Sequence, residues 1–408
     1  MQLYFREKYL KKMRGFYHDV EVIKVITGVR RSGKSCLMAM VKEELLRGGV
    51  APENIIFLDL DSKECRKIKT ADGLEEVIDS RRAQGTKYLF IDEIQNVKGF
   101  EEVINAYRCT GEYSVFITGS NSYLLSGELA TKLTGRYVEF ELFTLSFDEY
   151  LDMKAFLGKS VDANLTIELN NYLQEGGFPK AMQYDDFADK RTYVRSVIDE
   201  IFEKDIKRRV KVRNVETFNN VRNFVINNFG ATISVKSLQE ALAKNGVEIK
   251  RETLARYIEV LVESKVLYRC DRFDMKSKRA LSGEKKYYLA DVSFYFATNT
   301  DNRINYGPAL ENIVFIYAKS LDYAVSVGRI GKLECDFILR DNALGYSYVQ
   351  VAYTIGESKS TEDREYAPLE NIKDNYPKYV LTTDYLLQRR GGIKHVNLLE
   401  FMKSRSRF

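Results

Sequence analysis

The chain has 408 residues, 45% of them hydrophobic and 30% charged, with only 5 Pro and 25 Gly. That composition excludes a disordered or collagen-like chain, and the length allows roughly two to four domains, each with a core of its own. The formal net charge of +5 does not by itself imply a nucleic-acid partner, so any basic surface has to come from local clustering.

Residues 1–145 alternate short β-branched runs with amphipathic helical stretches. The apolar runs are Val22–Thr27, Asn54–Leu60, Tyr88–Asp92, Ser114–Thr118 and Tyr137–Leu142, and helical patterns such as Lys34–Arg47 and Gly73–Arg82 lie between them. Strand–helix alternation predicts an α/β domain, a parallel sheet covered on both faces.

Between the first strand and the first helix stands Gly28-Val29-Arg30-Arg31-Ser32-Gly33-Lys34-Ser35, a complete G-x-x-x-x-G-K-[ST]. The glycines permit a tight turn whose N–H groups converge on phosphate oxygens. The Lys34 ammonium is expected against the β/γ-phosphates, and the Ser35 hydroxyl is a candidate ligand for Mg²⁺. Gly28, Arg30, Arg31, Ser32, Gly33, Lys34, Ser35 and Cys36 form the candidate nucleotide-binding set.

The run Tyr88–Asp92 ends in a second acid, Glu93. Asp92 is the candidate partner of the Mg²⁺ shell, and Glu93 the candidate general base for an attacking water. One strand, Asn54–Leu60, intervenes in sequence, which implies a sheet where another strand separates the loop strand from the acidic strand. Ser114–Thr118 is the expected separator. After it, Ser120 or Asn121 either orients the water or simply caps a helix. Arg136, at the start of the last strand, is either a transition-state arginine, acting in its own subunit or a neighbour, or a solvated side chain.

From 146 to 210 the pattern is helical, with a Gly176-Gly177-Phe178-Pro179 turn and a basic stretch from Glu203 to Arg213. Such a stretch reads either as a phosphate-backbone contact or as a solvated helix face. Residues 211–297 predict three helices, Val215–Asn228, Val235–Ala243 and Arg251–Ser264, then strands Val266–Phe273 and Lys286–Ala290. This is the order of a winged helix-turn-helix. Leu254, Tyr257, Ile258, Leu261 and Val262 make a buried stripe on the third helix. Arg251, Thr253 and Arg256 fall on its exposed face, where double-stranded DNA or a protein partner is the candidate ligand.

Residues 298–408 place Glu311 on a helix, Leu333–Ile338 with Asp336 on a strand, and Tyr348–Tyr353 on another. This pattern is similar to the restriction-endonuclease-like fold, whose active members carry an acid on the first strand and [DE]-x-K on the next, but the sequence has Asp336 and then Gln350-Val351-Ala352. Glutamine is a poor ligand for a hard cation and alanine supplies no ammonium. The expectation is a catalytically dead fold, with Glu311, Glu334 and Asp336 as the remaining acids.

Cys36, Cys65, Cys109, Cys270 and Cys335 show no C-x-x-C spacing, and the two histidines, His18 and His395, sit in no metal or triad context. No stretch reaches 18 apolar residues. A soluble, reduced, cytoplasmic protein without a membrane partner is expected.

The runs G-V-R-R-S-G-K-S, Y-L-F-I-D-E-I-Q, I-T-G-S-N-S, L-T-G-R, L-S-F-D-E-Y and G-G-F-P resemble the AAA-type ATPases of bacteria and archaea, and within them the archaeal and STAND-related subgroup. The resemblance extends over essentially the whole chain. It implies a P-loop ATPase core (1–145), a helical lid (146–210) carrying G-G-F-P near the nucleotide, a winged helix (211–297) and a restriction-endonuclease-like domain (298–408). It further implies ATP with Mg²⁺ as cofactors and Asp92–Glu93 as metal holder and base. Two functions remain open on this reading. One is an ATPase that couples hydrolysis to domain rearrangement; the other is a nucleotide-gated switch that recognises DNA or a protein with negligible turnover. The oligomeric state is left undetermined.

Overall fold

The structure is a computed structural model that describes residues 2–81, 83–119, 133, 135–207, 210, 212, 214–276, 279–299 and 305–408, the side chains of 279–284 excepted. It divides into two compact units, Met1–Leu142 and Phe143–Phe408.

In the first unit, helix α1 (Glu7–Met13) precedes β1 (Ile23–Thr27), α2 (Lys34–Arg47), β2 (Ile55–Asp59), α3 (Ala71–Asp79), β3 (Lys87–Asp92), α4 (Phe100–Cys109), β4 (Tyr113–Thr118) and β5 (Tyr137–Glu141). The strands form a parallel sheet in the order β2-β3-β4-β1-β5, so β4 does separate the strand before the glycine loop from the acidic strand. Successive side chains on each strand point to opposite faces, and both faces are covered. Ile23, Val25, Leu89, Ile91, Val115 and Ile117 pack with Leu74, Ile78, Val103 and Ile104 of α3 and α4. Ile26, Phe90 and Phe116 pack with Leu10, Met13, Leu37, Met38 and Val41 of α1 and α2. Double coverage explains why the strands read as unbroken apolar runs.

Lys24 breaks that run. Fully buried on β1, its Nζ donates to Asp19 O at 2.6 Å and Ser114 Oγ at 2.8 Å. Burial pulls its pKa down to about 7, opposed only in part by the Asp19 carboxylate. Between that value and the ordinary 10.5, the unfolded chain binds the proton and the folded chain does not. Stability therefore rises with pH across that window, and the ionisation penalty is present in full below it. Relative to Lys24→Met, the wild type is expected to gain a few kcal/mol, on the order of the shift, between about pH 7 and pH 10. Urea unfolding at a series of pH values checks this, and parallel curves for the two proteins would refute it.

The second unit opens with three helices, α5 (Phe147–Phe156), α6 (Leu165–Glu175) and α7 (Phe187–Ile201). Ser146 and Glu149 close a capping box on the first of them. The G-G-F-P turn lies after α6 and has a packing reason for both glycines. A Cβ on Gly176 would stand 2.0 Å from Asp291 Oδ1, and one on Gly177 2.2 Å from Leu145 O. The Gly177 N–H donates to Asp291 Oδ2 at 2.8 Å.

Next come α8 (Val215–Asn227), the short β6 (Thr232–Ile233), α9 (Val235–Lys244), α10 (Arg251–Glu263), and the antiparallel hairpin of β7 (Leu267–Asp274) and β8 (Arg279–Leu289). After α11 (Ser293–Thr298) and α12 (Tyr306–Ser320), strands β9 (Ala324–Ile330), β10 (Leu333–Arg340) and β11 (Tyr346–Val351) make an antiparallel meander. Helix α13 (Lys359–Glu370) then crosses to β12 (Lys378–Thr382), which lies parallel to β11. The chain finishes with β13 (Arg389–Arg390), β14 (Ile393–Asn397) and α14 (Leu398–Lys403). Among the described residues these strands form one nine-stranded sheet, β13-β14-β12-β11-β10-β9-β7-β8-β6. The hairpin from 267–289 thus shares a ladder with the strands after residue 324, through the parallel pair β7–β9. Among the described residues no helix is long and apolar enough to cross a membrane.

Candidate functional site

Strand β1 ends at Thr27, and the chain turns through 28–33 into α2. Gly28 (φ 137°), Arg31 (φ 68°) and Gly33 (φ 104°) take positive φ. Gly28 is also needed for space, because a Cβ there would meet Leu142 O at 2.1 Å. Lys34 is buried, and its ammonium folds back over the loop, donating to Gly28 O at 2.9 Å and Val29 O at 3.3 Å. Ser32 is fully buried, with an Oγ that has no hydrogen-bond partner among the described residues. The loop is braced by Ser32 N donating to Val29 O at 3.2 Å and by the buried Arg6, whose Nη1 donates to Ser32 O at 3.4 Å. Ser35 and Cys36 are exposed in the first turn of α2, where N–H groups lack an intrahelical acceptor and the helix dipole is positive.

The acids stand at the same edge of the sheet. Asp92, nearly fully buried, ends β3 and accepts a hydrogen bond from Thr118 Oγ1 at the end of β4. Thr118 pairs in register with Ile26, so one strand lies between the acids and the glycine loop, a spacing of about 10 Å for two strand steps. Glu93 follows in the left-handed conformation, φ 57°, which costs a non-glycine residue about 1–2 kcal/mol. Its N–H donates to Thr118 Oγ1 at 3.2 Å, and its carboxylate accepts from Gln95 Nε2. A 3₁₀ turn, with Asn96 N donating to Glu93 O at 3.0 Å, brings the side chains of 93 and 95 together.

Loop, buried ammonium, helix N-terminus and two acids therefore converge at the carboxyl edge of a parallel sheet, where this class of sheet binds ligands. The donor set suits a nucleotide: main-chain N–H groups and Lys34 for phosphate oxygens, with Ser35 and Asp92 for Mg²⁺, which accepts one carboxylate, one hydroxyl and phosphate oxygens in place of an all-protein cage. The unpartnered Ser32 Oγ under the loop adds a polar group facing the same turn.

Arg136 is placed elsewhere. It precedes β5, its O accepts from Ile23 N at 2.9 Å, and its guanidinium donates to Asn105 Oδ1 at 3.3 Å. Ile23 begins β1 whereas the loop leaves its other end, about 16 Å away over five residues. Arg136 thus cannot reach the loop of its own chain. Asn121 and Ser120 lie outside the described residues, as do four of the basic-stretch positions, 208, 209, 211 and 213. The residues that sequence reasoning missed are Thr118, Gln95 and Arg6. The first two stood in quoted runs, I-T-G-S and D-E-I-Q, but their roles depend on contacts across the sheet edge.

In the second unit the acids expected from the nuclease-like pattern do gather. Asp336 Oδ2 accepts from Val351 N at 2.8 Å, Gln350 Oε1 accepts from Asp336 N at 3.3 Å, and Gln350 Nε2 donates to Glu365 Oε2 at 3.0 Å. The centre of this cluster is an ammonium. Lys286 of β8, with only 6% of its side chain exposed, bonds Glu311 at 3.0 Å and Glu334 at 2.9 Å. Tyr288 OH donates to Glu311 at 2.9 Å and Arg272 bonds Glu334 at 2.8 Å. Burial, and then the Glu311 charge, push the Asp336 carboxyl well above the usual range. Among the described residues no group of three metal-ligating side chains is arranged to hold a metal ion. On α10, Arg251, Thr253 and Arg256 are exposed, Arg256 paired with Glu263 at 3.0 Å.

Residues 21–151 match the model of an AAA domain, and residues 166–303 match a domain of unknown function. An uncharacterized protein of Haemophilus influenzae is 34% identical over 403 residues, covering 97% of this chain and 98% of that protein. This chain belongs to that protein's family. Uncharacterized protein MJ1544 of Methanocaldococcus jannaschii is 29% identical over 381 residues, covering 89% of this chain and 83% of the relative. Among solved structures, the Walker-type ATPase PABY2304 of Pyrococcus abyssi superposes with a TM-score of 0.50 at 15% identity, over 72% of this chain and 95% of that one. The first unit is accordingly an AAA domain with a P-loop ATPase fold.

Proposed function

We propose that this AAA protein is a Mg²⁺-dependent ATPase whose turnover drives rearrangement of its parts. The observation that carries the reading is the shared sheet edge, with Lys34 over the glycine loop and Asp92–Glu93 held to β4 by Thr118. Main-chain N–H groups of the loop bind the β- and γ-phosphates, and Lys34 exchanges its two carbonyl partners for phosphate oxygens. Ser35 and Asp92 would hold Mg²⁺, which when bound neutralises phosphate charge. Glu93 takes a proton from the water that attacks the γ-phosphorus. Arg136, far from the loop of its own chain, acts on a neighbour's nucleotide if it acts on phosphate at all, and Asn121 is assigned the sensor position. The test is phosphate release by wild type, Lys34→Ala and Glu93→Gln with Mg-ATP.

The finer division of the chain into core, lid (146–210), winged helix (211–297) and nuclease-like part (298–408) belongs to the same proposal. The order α8, α9, α10, hairpin supports the winged helix, and the α12–β9–β10–β11–α13–β12 order supports the endonuclease-like fold. Exposed Arg251 and Thr253 on α10 favour double-stranded DNA as the second ligand. DNA that stimulates phosphate release supports coupling. DNA that binds only in the nucleotide-loaded state, with negligible turnover, supports the gated switch in its place. Lys286 among the acids, with Ala352 where a lysine is required, argues against nuclease activity, and plasmid incubated with Mg²⁺ or Mn²⁺ should stay uncut.

A further inference from the structure

The segment that follows β2 carries charge that the ATPase reading leaves unused. Of the seven residues 63–69, four are cationic, Lys63, Arg66, Lys67 and Lys69, against one acid, Glu64. All four cations are exposed, and so is Lys98. Among the described residues none of these five makes an ion pair or a side-chain hydrogen bond. Surface lysines elsewhere do find partners, as Lys204 does with Glu200 and Lys207 with Glu203. The segment is nevertheless fixed in place. Ile68 is buried and Cys65 part-buried in the core that holds Leu60, Leu74 and Val97, which turns the residues between them outward. Ser62 braces the first turn, its O accepting from Arg66 N at 2.9 Å and its Oγ from Cys65 N at 3.2 Å. Two further bonds tie the segment to the turn after β3: Asn96 Nδ2 donates to Asp61 Oδ1 at 3.0 Å, and Lys98 N to Lys69 O at 3.0 Å.

We propose that residues 63–69 together with Lys98 form a surface of the AAA domain that binds the phosphate backbone of double-stranded DNA without reading its sequence. The proposal goes beyond the function argued above, which places DNA on α10 of the other unit. Asp59, the last residue of β2, pairs in register with Asp92, so the segment leaves the sheet at the edge where the acids stand. It is three strand steps from β1, roughly 14 Å, which puts it to one side of the phosphates of a nucleotide on the glycine loop. These cations therefore serve a second set of phosphates. The chemistry of the segment selects among polyanions. Single strands are held by bases stacked on aromatic rings, and residues 61–70 include no aromatic residue. Protein interfaces bury an apolar centre, and none of the exposed large apolar side chains among the described residues falls between 59 and 99. Lysine and arginine alone, held on a braced turn, suit the backbone of a duplex, where each contact releases condensed counterions.

The test measures binding of a short mixed-sequence duplex to the full chain by fluorescence anisotropy over a salt series. With Lys63→Gln, Arg66→Gln, Lys67→Gln and Lys69→Gln combined, the dissociation constant is expected to rise on the order of 10²–10³-fold at low salt. The slope of log affinity against log salt should flatten by roughly 3 to 4, about 0.9 for each cation removed. Arginine in place of the three lysines keeps the charge and should keep the affinity within about threefold. If the combined variant melts early, Lys67→Gln and Lys69→Gln carry the test singly, each flattening the slope by about 1. Wild-type affinity and slope in the combined variant overturn the surface, and loss of binding in Arg251→Gln in the same assay then leaves α10 as the DNA contact. Single-stranded DNA bound as tightly as the duplex, or polyglutamate displacing the duplex at equal charge, overturns the choice of partner. A wild type that binds no duplex overturns both DNA surfaces and leaves the ATPase standing.

Discussion

On the proposed function, Lys34→Ala is expected to lose nucleotide binding, whereas Glu93→Gln is expected to keep it and to lose phosphate release by about 10²–10⁴-fold, the range a general base contributes. The contrast follows from where each group stands. Lys34 is buried over the loop and hydrogen-bonded to Gly28 O and Val29 O, so its truncation removes a charge from the phosphate cradle and two bonds from the loop itself. Glu93 makes no hydrogen bond to the loop among the described residues; its partners are Thr118, Gln95 and Asn96. Glutamine at 93 preserves shape and the Thr118 bond, which is made by the backbone N–H, and removes only the basic oxygen. Calorimetry with Mg-ATP and a phosphate-release assay on the same preparations separate the two effects. Equal loss of binding in both variants, or equal turnover in Glu93→Gln and wild type, would sink the assignment.

Lys286→Met is expected to destabilise the second unit by about 3–5 kcal/mol, because it leaves the buried Asp336 and the part-buried Glu311 without their counter-charge, Glu334 keeping Arg272. Burial alone pulls an ammonium's pKa down, but at Lys286 the Glu311, Asp336 and Glu334 charges outweigh it and hold the proton on. Methionine fills the volume of the stem and supplies no charge. Asp336, already held well above the ordinary carboxylate range, rises further when the ammonium is lost, so the variant's stability is expected to improve as pH falls toward that raised value. Adding Glu311→Gln to Lys286→Met should restore part of the loss, since the pair is in contact and the cycle is non-additive. Urea unfolding of the four proteins gives the coupling. A single variant as stable as wild type would show that the ammonium is dispensable.

What the sequence disclosed was whatever depends on neighbours along the chain. The strand, glycine loop and helix from Ile23 to Arg47 follow from local spacing, and the structure has them at those residues. Helix α10, expected over Arg251–Ser264 and found over Arg251–Glu263, was legible from its 3.6-residue apolar stripe. The interior position of β4 was also legible, because an acid pair separated from the loop requires an intervening strand. The strand expected at Lys286–Ala290 begins at Arg279 in the structure, its length set by pairing with β7 rather than by its own residues. Thr118 and Gln95 matter through bonds to β3 and its turn, and a threonine at a strand end or a glutamine after D-E carries no local mark of that. Arg136 looked adjacent to catalysis because strand starts and strand ends look alike in sequence. Only the parallel register with Ile23 puts it at the far edge. Lys286 was equally silent: nothing local in K-K-Y-Y marks it until the fold sets its ammonium against Glu311 of α12 and Glu334 of β10.

The β7–β9 ladder has a mechanical consequence. A hairpin hung on a flexible tether can swing when its helices grip something, and nothing beyond it is disturbed. Here the same pull must either shear main-chain hydrogen bonds or drag the neighbouring strands along, so a load on α8–α10 is felt stiffly as far as the meander and its ion cluster. With that ladder intact, the strands from β7 to β14 are expected to melt in a single cooperative step, which calorimetry checks.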